Sequence, residues 1–305
     1  MEKEKLGIPS NGTIYHKLKP SQNLLVESLK TNNFLSSVLK GFCDQENIDK
    51  ELCKLAFINY GDTQLVYVLS TPEIQYAVLV GQPATRFGIV KDEYINLLEL
   101  SDKNERYIAT PKTYAKGKDR EMYIAPYYKQ ARCVASDESG WGVYIPEPHY
   151  RFEKFSEYQR KTVNISMIAL LVKMYDDENK KGIADCRVGG GDFILEKEWS
   201  DEPPSFSNTV NRMKLISARK FIKIEFTEYL KLLSKEFLLN TYYSDDKKRN
   251  PLILINIKNR QPMTIEEIQK GIALGIKLRN IPQNLEIKDS IIDLDLSSSF
   301  LIKKL

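Results

Sequence analysis

Leu55-Ala-Phe-Ile-Asn-Tyr60-Gly-Asp-Thr-Gln-Leu65-Val-Tyr-Val-Leu-Ser70-Thr-Pro-Glu-Ile-Gln75-Tyr-Ala-Val-Leu-Val80 is the stretch that decides the architecture. Leu55 to Tyr60 is rich in apolar and aromatic residues, Gly61-Asp62 carry turn chemistry, and Gln64 to Leu69 forms a second such run. Thr71-Pro72-Glu73 is another turn, and Gln75 to Val80 a third run. Short β-rich runs joined by turn residues predict an antiparallel meander. The period then changes. Over Ile89 to Leu100, the residues Val90, Tyr94, Leu97 and Leu98 share one face at 3.6 spacing, which predicts an amphipathic helix. Ile108 to Tyr114 and Met122 to Tyr128 predict two more strands around Gly117.

Toward the N-terminus, residues 1–20 are polar and punctuated by Pro9, Gly12 and Pro20, an irregular arm. Leu24, Leu25 and Leu29, then Phe34, Val38 and Leu39, predict two short amphipathic helices within 21–54. Toward the C-terminus, Ser136 to Pro148 holds Gly140, Gly142, Pro146 and Pro148 and reads as a linker loop. Ser156 to Met174 predicts a buried helix ended by Lys181-Gly182, and Asp201 to Asn208, with Pro203-Pro204, an exposed loop. Phe221 to Leu239 predicts a helix with Ile222, Phe226, Tyr229, Leu230, Leu233 and Phe237 on one face. Leu252 to Ile257 is continuous enough for a buried strand. Thr264 can cap a helix to Leu278, with Glu267 at the reciprocal position. Its stripe is Ile265, Ile268, Ile272 and Ile276, while Gly271 and Gly275 form a second face suited to close backbone approach. The resulting fold class is α+β with two lobes. An arm with helices occupies 1–54, a β-rich small lobe 55–139, and a mainly helical large lobe 140–305.

Composition narrows the classes. Of 305 residues, 42% are hydrophobic and 28% charged, which is globular and excludes a disordered, collagenous or coiled-coil chain as a whole. Lys and Arg number 45 against 41 Asp and Glu; a net +4 is too weak to imply nucleic acid. Cys43, Cys53, Cys133 and Cys186 lack CxxC spacing and there are two histidines, which argues against zinc and for reduced thiols. Met1-Glu-Lys-Glu-Lys5 leads into no apolar stretch. Ile165 to Met174, broken by Ser166 and Lys173, falls short of the ~20 residues of a membrane span. A cytoplasmic protein with no membrane partner is expected.

The stretch most suggestive of chemistry is Gly182-Ile-Ala-Asp-Cys-Arg-Val-Gly-Gly-Gly-Asp-Phe-Ile-Leu-Glu196. Gly189, Gly190 and Gly191 each cost conformational entropy, about 0.5–1 kcal/mol relative to Ala inside an element, so a local demand must offset it. In a functional reading, Asp185 and Asp192 flank the loop with Arg187 between them, and carboxylates beside exposed backbone N–H groups hold Mg²⁺ and a phosphate. In a structural reading the glycines close a turn, Asp185 bonds its backbone and Arg187 pairs with a carboxylate.

The element order resembles the kinase-like fold of the aminoglycoside and choline phosphotransferases. In that family a small lobe has strands, a helix carrying a Glu, then two strands; a linker, a buried helix and the catalytic loop follow. Residues 55–240 carry the resemblance. Gln75–Gly81 looks like the third strand, and Glu93 in Lys91-Asp-Glu-Tyr-Ile-Asn-Leu-Leu98 like the small-lobe helix Glu. Tyr107-Ile-Ala-Thr-Pro-Lys-Thr-Tyr114 and Glu121-Met-Tyr-Ile-Ala-Pro126 look like the strands that follow, and Lys214-Leu-Ile-Ser-Ala218 like the last motif. The resemblance implies that Asp185 orients or deprotonates an acceptor hydroxyl, that Asp192 binds Mg²⁺, and that ATP is the nucleotide. The chain departs from the pattern. Tyr76-Ala-Val-Leu-Val-Gly81 has no Lys, Asp185 and Asp192 are seven apart where the family has five, and no His precedes Asp185 at the usual place. Ser217 replaces the second metal ligand, and no Gly-rich loop precedes the second strand. The motifs are those of a degenerate phosphotransferase that binds a nucleotide or phosphorylated ligand.

Two other classes compete. A non-catalytic interaction module would use the aromatic and basic clusters Tyr123, Tyr127, Tyr128, Lys129 and Arg132, then Trp141, Tyr144, His149, Tyr150 and Arg151, to meet a protein partner. A nucleic-acid enzyme of the PD-(D/E)XK type needs Glu-x-Lys on one strand face. Glu196 and Lys197 are adjacent, so they point to opposite faces.

Overall fold

The structure is a computed structural model that describes residues 33–60, 64–81, 88–128, 131–137, 140–145, 151–186, 190–196, 205–239, 241–244, 253–256 and 263–281. The arm 1–20, the first expected helix around Leu24 to Leu29, and Arg187 and Gly189 lie outside them. The described residues of Met1–Ile95 and Thr110–Lys129 form one compact unit; those of Asn96–Ala109, Gln130–Ile145 and Arg151–Leu305 form the other.

In the first unit, α1 (Asn33–Gln45) buries Leu35, Leu39, Phe42 and Cys43, the i, i+4, i+7, i+8 face of an amphipathic helix. The expected meander follows as β1 (Lys54–Tyr60), β2 (Gln64–Ser70) and β3 (Gln75–Gly81). α2 (Ile89–Asn104) follows and belongs to this unit as far as Ile95; β4 (Thr113–Lys116) and β5 (Glu121–Pro126) then complete an antiparallel sheet of order β1-β2-β3-β5-β4. Its core packs Phe42 edge-on to Tyr76 at 5.0 Å and Phe57 to Tyr67 at 5.4 Å. Val90, Glu93, Leu97, Leu100, Ser101 and Asn104 are the buried positions of α2, so the face the sequence assigned to Tyr94 and Leu98 turns and takes in a carboxylate.

The second unit has strands as well as helices. β6 (Arg132–Asp137), β7 (Gly140–Ile145), β8 (Arg151–Lys154), β10 (Gly190–Leu195) and β11 (Met213–Leu215) form a sheet of order β11-β10-β6-β7-β8. The linker expected over Ser136 to Pro148 is corrected: most of its first ten residues are β6 and β7. Gly142 is a packing residue within a strand, because a Cβ there would lie 2.2 Å from the Glu153 carbonyl oxygen. Lys181-Gly182 does not end the buried helix. That helix, α3 (Glu157–Lys173), ends at Lys173 with Met174 as its C-cap, and Lys181–Ala184 is β9, paired with β12 (Lys220–Lys223). Ile222 is accordingly a strand residue, and α5 (Phe226–Leu238) starts after it. Ser205 caps α4 (Phe206–Arg212), which takes the end of the expected exposed loop. Thr241–Ser244 (β13) pairs with Ile253–Asn256 (β14).

Residues Thr162 to Lys173 of α3 are all buried. The helix α6 (Ile265–Arg279) packs on it through the glycine face. A Cβ on Gly275 would lie 2.5 Å from Val172 Cβ and 2.7 Å from the Ala169 carbonyl oxygen, and one on Gly271 2.6 Å from Ile168 Cβ. The Thr264–Glu267 capping box forms, and the buried Glu267 also meets Arg160 at 2.8 Å and the Asn164 amide at 3.3 Å. Ile265 is exposed instead of core. Among the described residues no helix is long and apolar enough to cross a membrane.

Candidate functional site

Asp192 stands in β10, directly after Gly190 and Gly191, where the pairing of that strand is irregular. Gly190 faces Ala135 and Ile194 faces Cys133, so four steps along β10 match two along β6. This is a bulge, which bends a strand and re-aims its side chains. Asp192 lies inside it, 1% exposed, and its carbonyl accepts from the Ile216 N–H at 2.8 Å. Its carboxylate faces Arg219: one Nη1 stands 2.7 and 2.6 Å from the two oxygens. Burial and the nearby Asp192 charge push the Cys133 thiol up to about 12.

Asp185 follows β9 at φ +56°, the left-handed region that Asp and Asn tolerate better than most residues. It is 5% exposed, and its backbone N–H donates to Glu236 Oε1 at 3.2 Å. Glu236 is fully buried in α5. Burial, then Cys186 and Glu236, hold the neighbouring Tyr229 hydroxyl well above its ordinary pKa, and that hydroxyl donates to the Leu171 carbonyl.

In the first unit, Glu93 is buried in α2 and accepts from the Gln64 side-chain amide of β2. Glu121, at the start of β5, is also buried. It accepts from the Gly88 N–H at 2.8 Å and the Tyr114 hydroxyl at 2.9 Å. Burial, together with that carboxylate, raises the Tyr114 hydroxyl above the usual phenol range.

Asp185, Asp192 and Glu93 are thus all buried and hydrogen-bonded. Gly190 and Gly191 open β10. Asp192 does not fit as an open Mg²⁺ ligand, because Arg219 holds both oxygens, and among the described residues no group of three His, Cys, Asp or Glu could hold a metal ion. An open pocket of about 510 Å³ in the second unit is lined by Lys103, Lys173, Asp176, Phe221 and Arg279 among others; neither Asp185 nor Asp192 lines it. The aromatic surface expected around Trp141 is corrected as well. Trp141 and Tyr123 are buried, drawn in by the sheets they belong to, and His149 and Tyr150 lie outside the described residues.

Two residues of this site escaped the sequence reading. Arg219 reaches Asp192 across 27 positions, and nothing local marks it. Glu236 had a signal: it sits at i+3 from Leu233 and i+7 from Tyr229, on the apolar face of α5.

No family model matches the chain, and no curated protein does. Among solved structures it is similar to the autoinhibited serine kinase domain of the giant muscle protein titin, with 11% identity and a TM-score of 0.34. That match covers 57% of this chain and 47% of that domain. It is similar also to the Mycobacterium tuberculosis PknI kinase domain, with 10% identity, a TM-score of 0.31, and 55% of this chain against 59% of that one. For the BubR1 kinase domain the values are 14% and 0.39, covering 83% of each. The chain thus spans about half to three fifths of the first two domains.

Proposed function

We propose that this chain is a kinase-like protein that binds a nucleotide or another phosphorylated ligand without transferring its phosphoryl group. The element order supports the fold: three meander strands, a helix with a buried Glu93, two strands returning to the same sheet, and, after β6 to β8, a buried helix before the Asp185 turn. That is the order by which the sequence resembles the aminoglycoside and choline phosphotransferases. One contact carries the functional part of the reading. Arg219 supplies a permanent cation to Asp192, where the resemblance places a metal ion. Phosphoryl transfer depends on metal ions that bridge and neutralise phosphate oxygens. A carboxylate committed to an internal guanidinium cannot recruit one without breaking a buried ion pair.

The test is calorimetric titration with ATP and GTP, with and without Mg²⁺, beside an assay for nucleotide hydrolysis. Saturable binding of similar affinity in both conditions, with no hydrolysis, is expected. Binding that requires Mg²⁺ would overturn the role given to Arg219. Absence of binding to both nucleotides would overturn the ligand class.

A further inference from the structure

Cys43 and Cys53 belong to the core of the first unit, 0% and 2% exposed. Cys43 is in the last turn of α1 and Cys53 immediately precedes β1, so the two sulfurs stand at the ends of the surface turn 44–52. Their Sγ atoms are 3.9 Å apart and share a hydrogen bond; the Cys53 thiol also lies 3.3 Å from the Asp49 carbonyl oxygen, to which it can donate. The turn holds itself together. Asp49 accepts from the Glu51 N–H, and the Ile48 N–H donates to the Cys43 carbonyl at 2.8 Å. The two sulfurs are already in contact, the starting point for an S–S bond of ~2.05 Å.

We propose that Cys43 and Cys53 are a redox clasp: a two-electron oxidant such as a peroxide joins them in an intramolecular disulfide that ties the end of α1 to the start of β1. One thiolate takes an OH from the peroxide and becomes a sulfenic acid, with the other peroxide oxygen leaving as water once protonated. The partner sulfur then attacks the sulfenic sulfur, the S–S bond forms and a second water leaves. Two thiols and one peroxide give one disulfide and two waters, and a thiol reductant reverses the change. Burial, reinforced by Cys53, pushes the Cys43 thiol up to about 12, so its proton is held hard. Burial raises the Cys53 thiol as well, so neither proton leaves readily and closure is slow. The closed bond restricts the unfolded chain and raises stability.

The experiment treats the full chain with hydrogen peroxide, then maps peptides after blocking free thiols, and compares melting temperatures with and without reductant. A mass lower by two hydrogen atoms, a cross-linked Cys43–Cys53 peptide and a rise of several degrees in Tm, all reversed by reductant, are expected. In Cys53→Ser the Tm rise disappears; should that variant not fold, the wild-type peptide map decides alone. The proposal fails if Cys43 and Cys53 stay reduced while Cys133 is oxidised. It fails equally if the cross-links involve Cys133, Cys186 or a second chain, or if the cross-linked form melts lower.

Discussion

Each five-stranded sheet buries a carboxylate near the start of a strand, and the two are met differently. Glu121 in β5 is held by neutral donors, the Tyr114 hydroxyl of the neighbouring strand and the Gly88 N–H. Asp192 in β10 is held by a guanidinium that comes from outside the sheet. A neutral donor lost from a buried acceptor costs about 1–3 kcal/mol, and much less where the acceptor keeps a second partner. A charged partner lost leaves an uncompensated buried charge and costs about 3–5 kcal/mol. The two sheets should therefore answer to substitution on different scales.

The largest effect expected is from Arg219→Ala, about 3–5 kcal/mol of stability in urea denaturation. Adding Asp192→Asn to that variant should recover much of the loss, since the stranded charge is removed; a second variant as unstable as the first would mean that Arg219 acts through packing alone. A steric change without charge calibrates the scale. Gly275→Ala forces a methyl against Val172 and the Ala169 carbonyl, and should cost about 1–3 kcal/mol as overpacking. No change in its unfolding midpoint would break the close α3–α6 contact.

Between the extremes stands Asp176, whose donors are both charged and neutral. Burial alone would raise its pKa, but hydrogen bonds from Asn179 and Lys103 outweigh burial and lower it to about 2. The folded value lies below the unfolded one. Its contribution is therefore present above the unfolded pKa of 3.8 and lost as pH falls through about 2. The contribution is on the order of 1–2 kcal/mol for a largely covered side chain. Asp176→Asn should flatten that part of a stability-against-pH curve, and an unchanged acid limb would remove Asp176 as its source. The smallest effect belongs to Tyr114→Phe, about 0.5–1.5 kcal/mol, because Glu121 keeps the Gly88 N–H. A loss as large as that of Arg219→Ala would erase the contrast between the two sheets.

The same contrast separates what could be read from what could not. The strands β1 to β3 pair with their sequence neighbours through short turns, so alternation and turn chemistry were enough to find them. The Thr264 capping box is likewise contained within four residues, and it forms. In the second sheet, β10 pairs with β6 across the whole of α3 and β9, and the linker reading of Ser136 to Pro148 failed because Gly142 serves packing within a strand instead of a turn. Strand β12 replaced the first turn of an expected helix because β9 offered it backbone partners. Of the candidate residues, Glu93 sits on the buried face of α2, as a charge spaced three and four residues from Val90 and Leu97 indicates.

The sequence by itself determined the meander, a helix at α1, the buried run of α3 and a glycine face on α6 suited to close backbone approach. These follow from periods and caps that act over a few residues. Only the tertiary structure decided that Asp192 sits in a bulge facing Arg219, that Asp185 turns left-handed against Glu236, and that Cys43 lies beside Cys53. Such contacts form when packing holds separate elements together strongly enough to repay loop closure and desolvation, and that balance leaves no local mark on the chain.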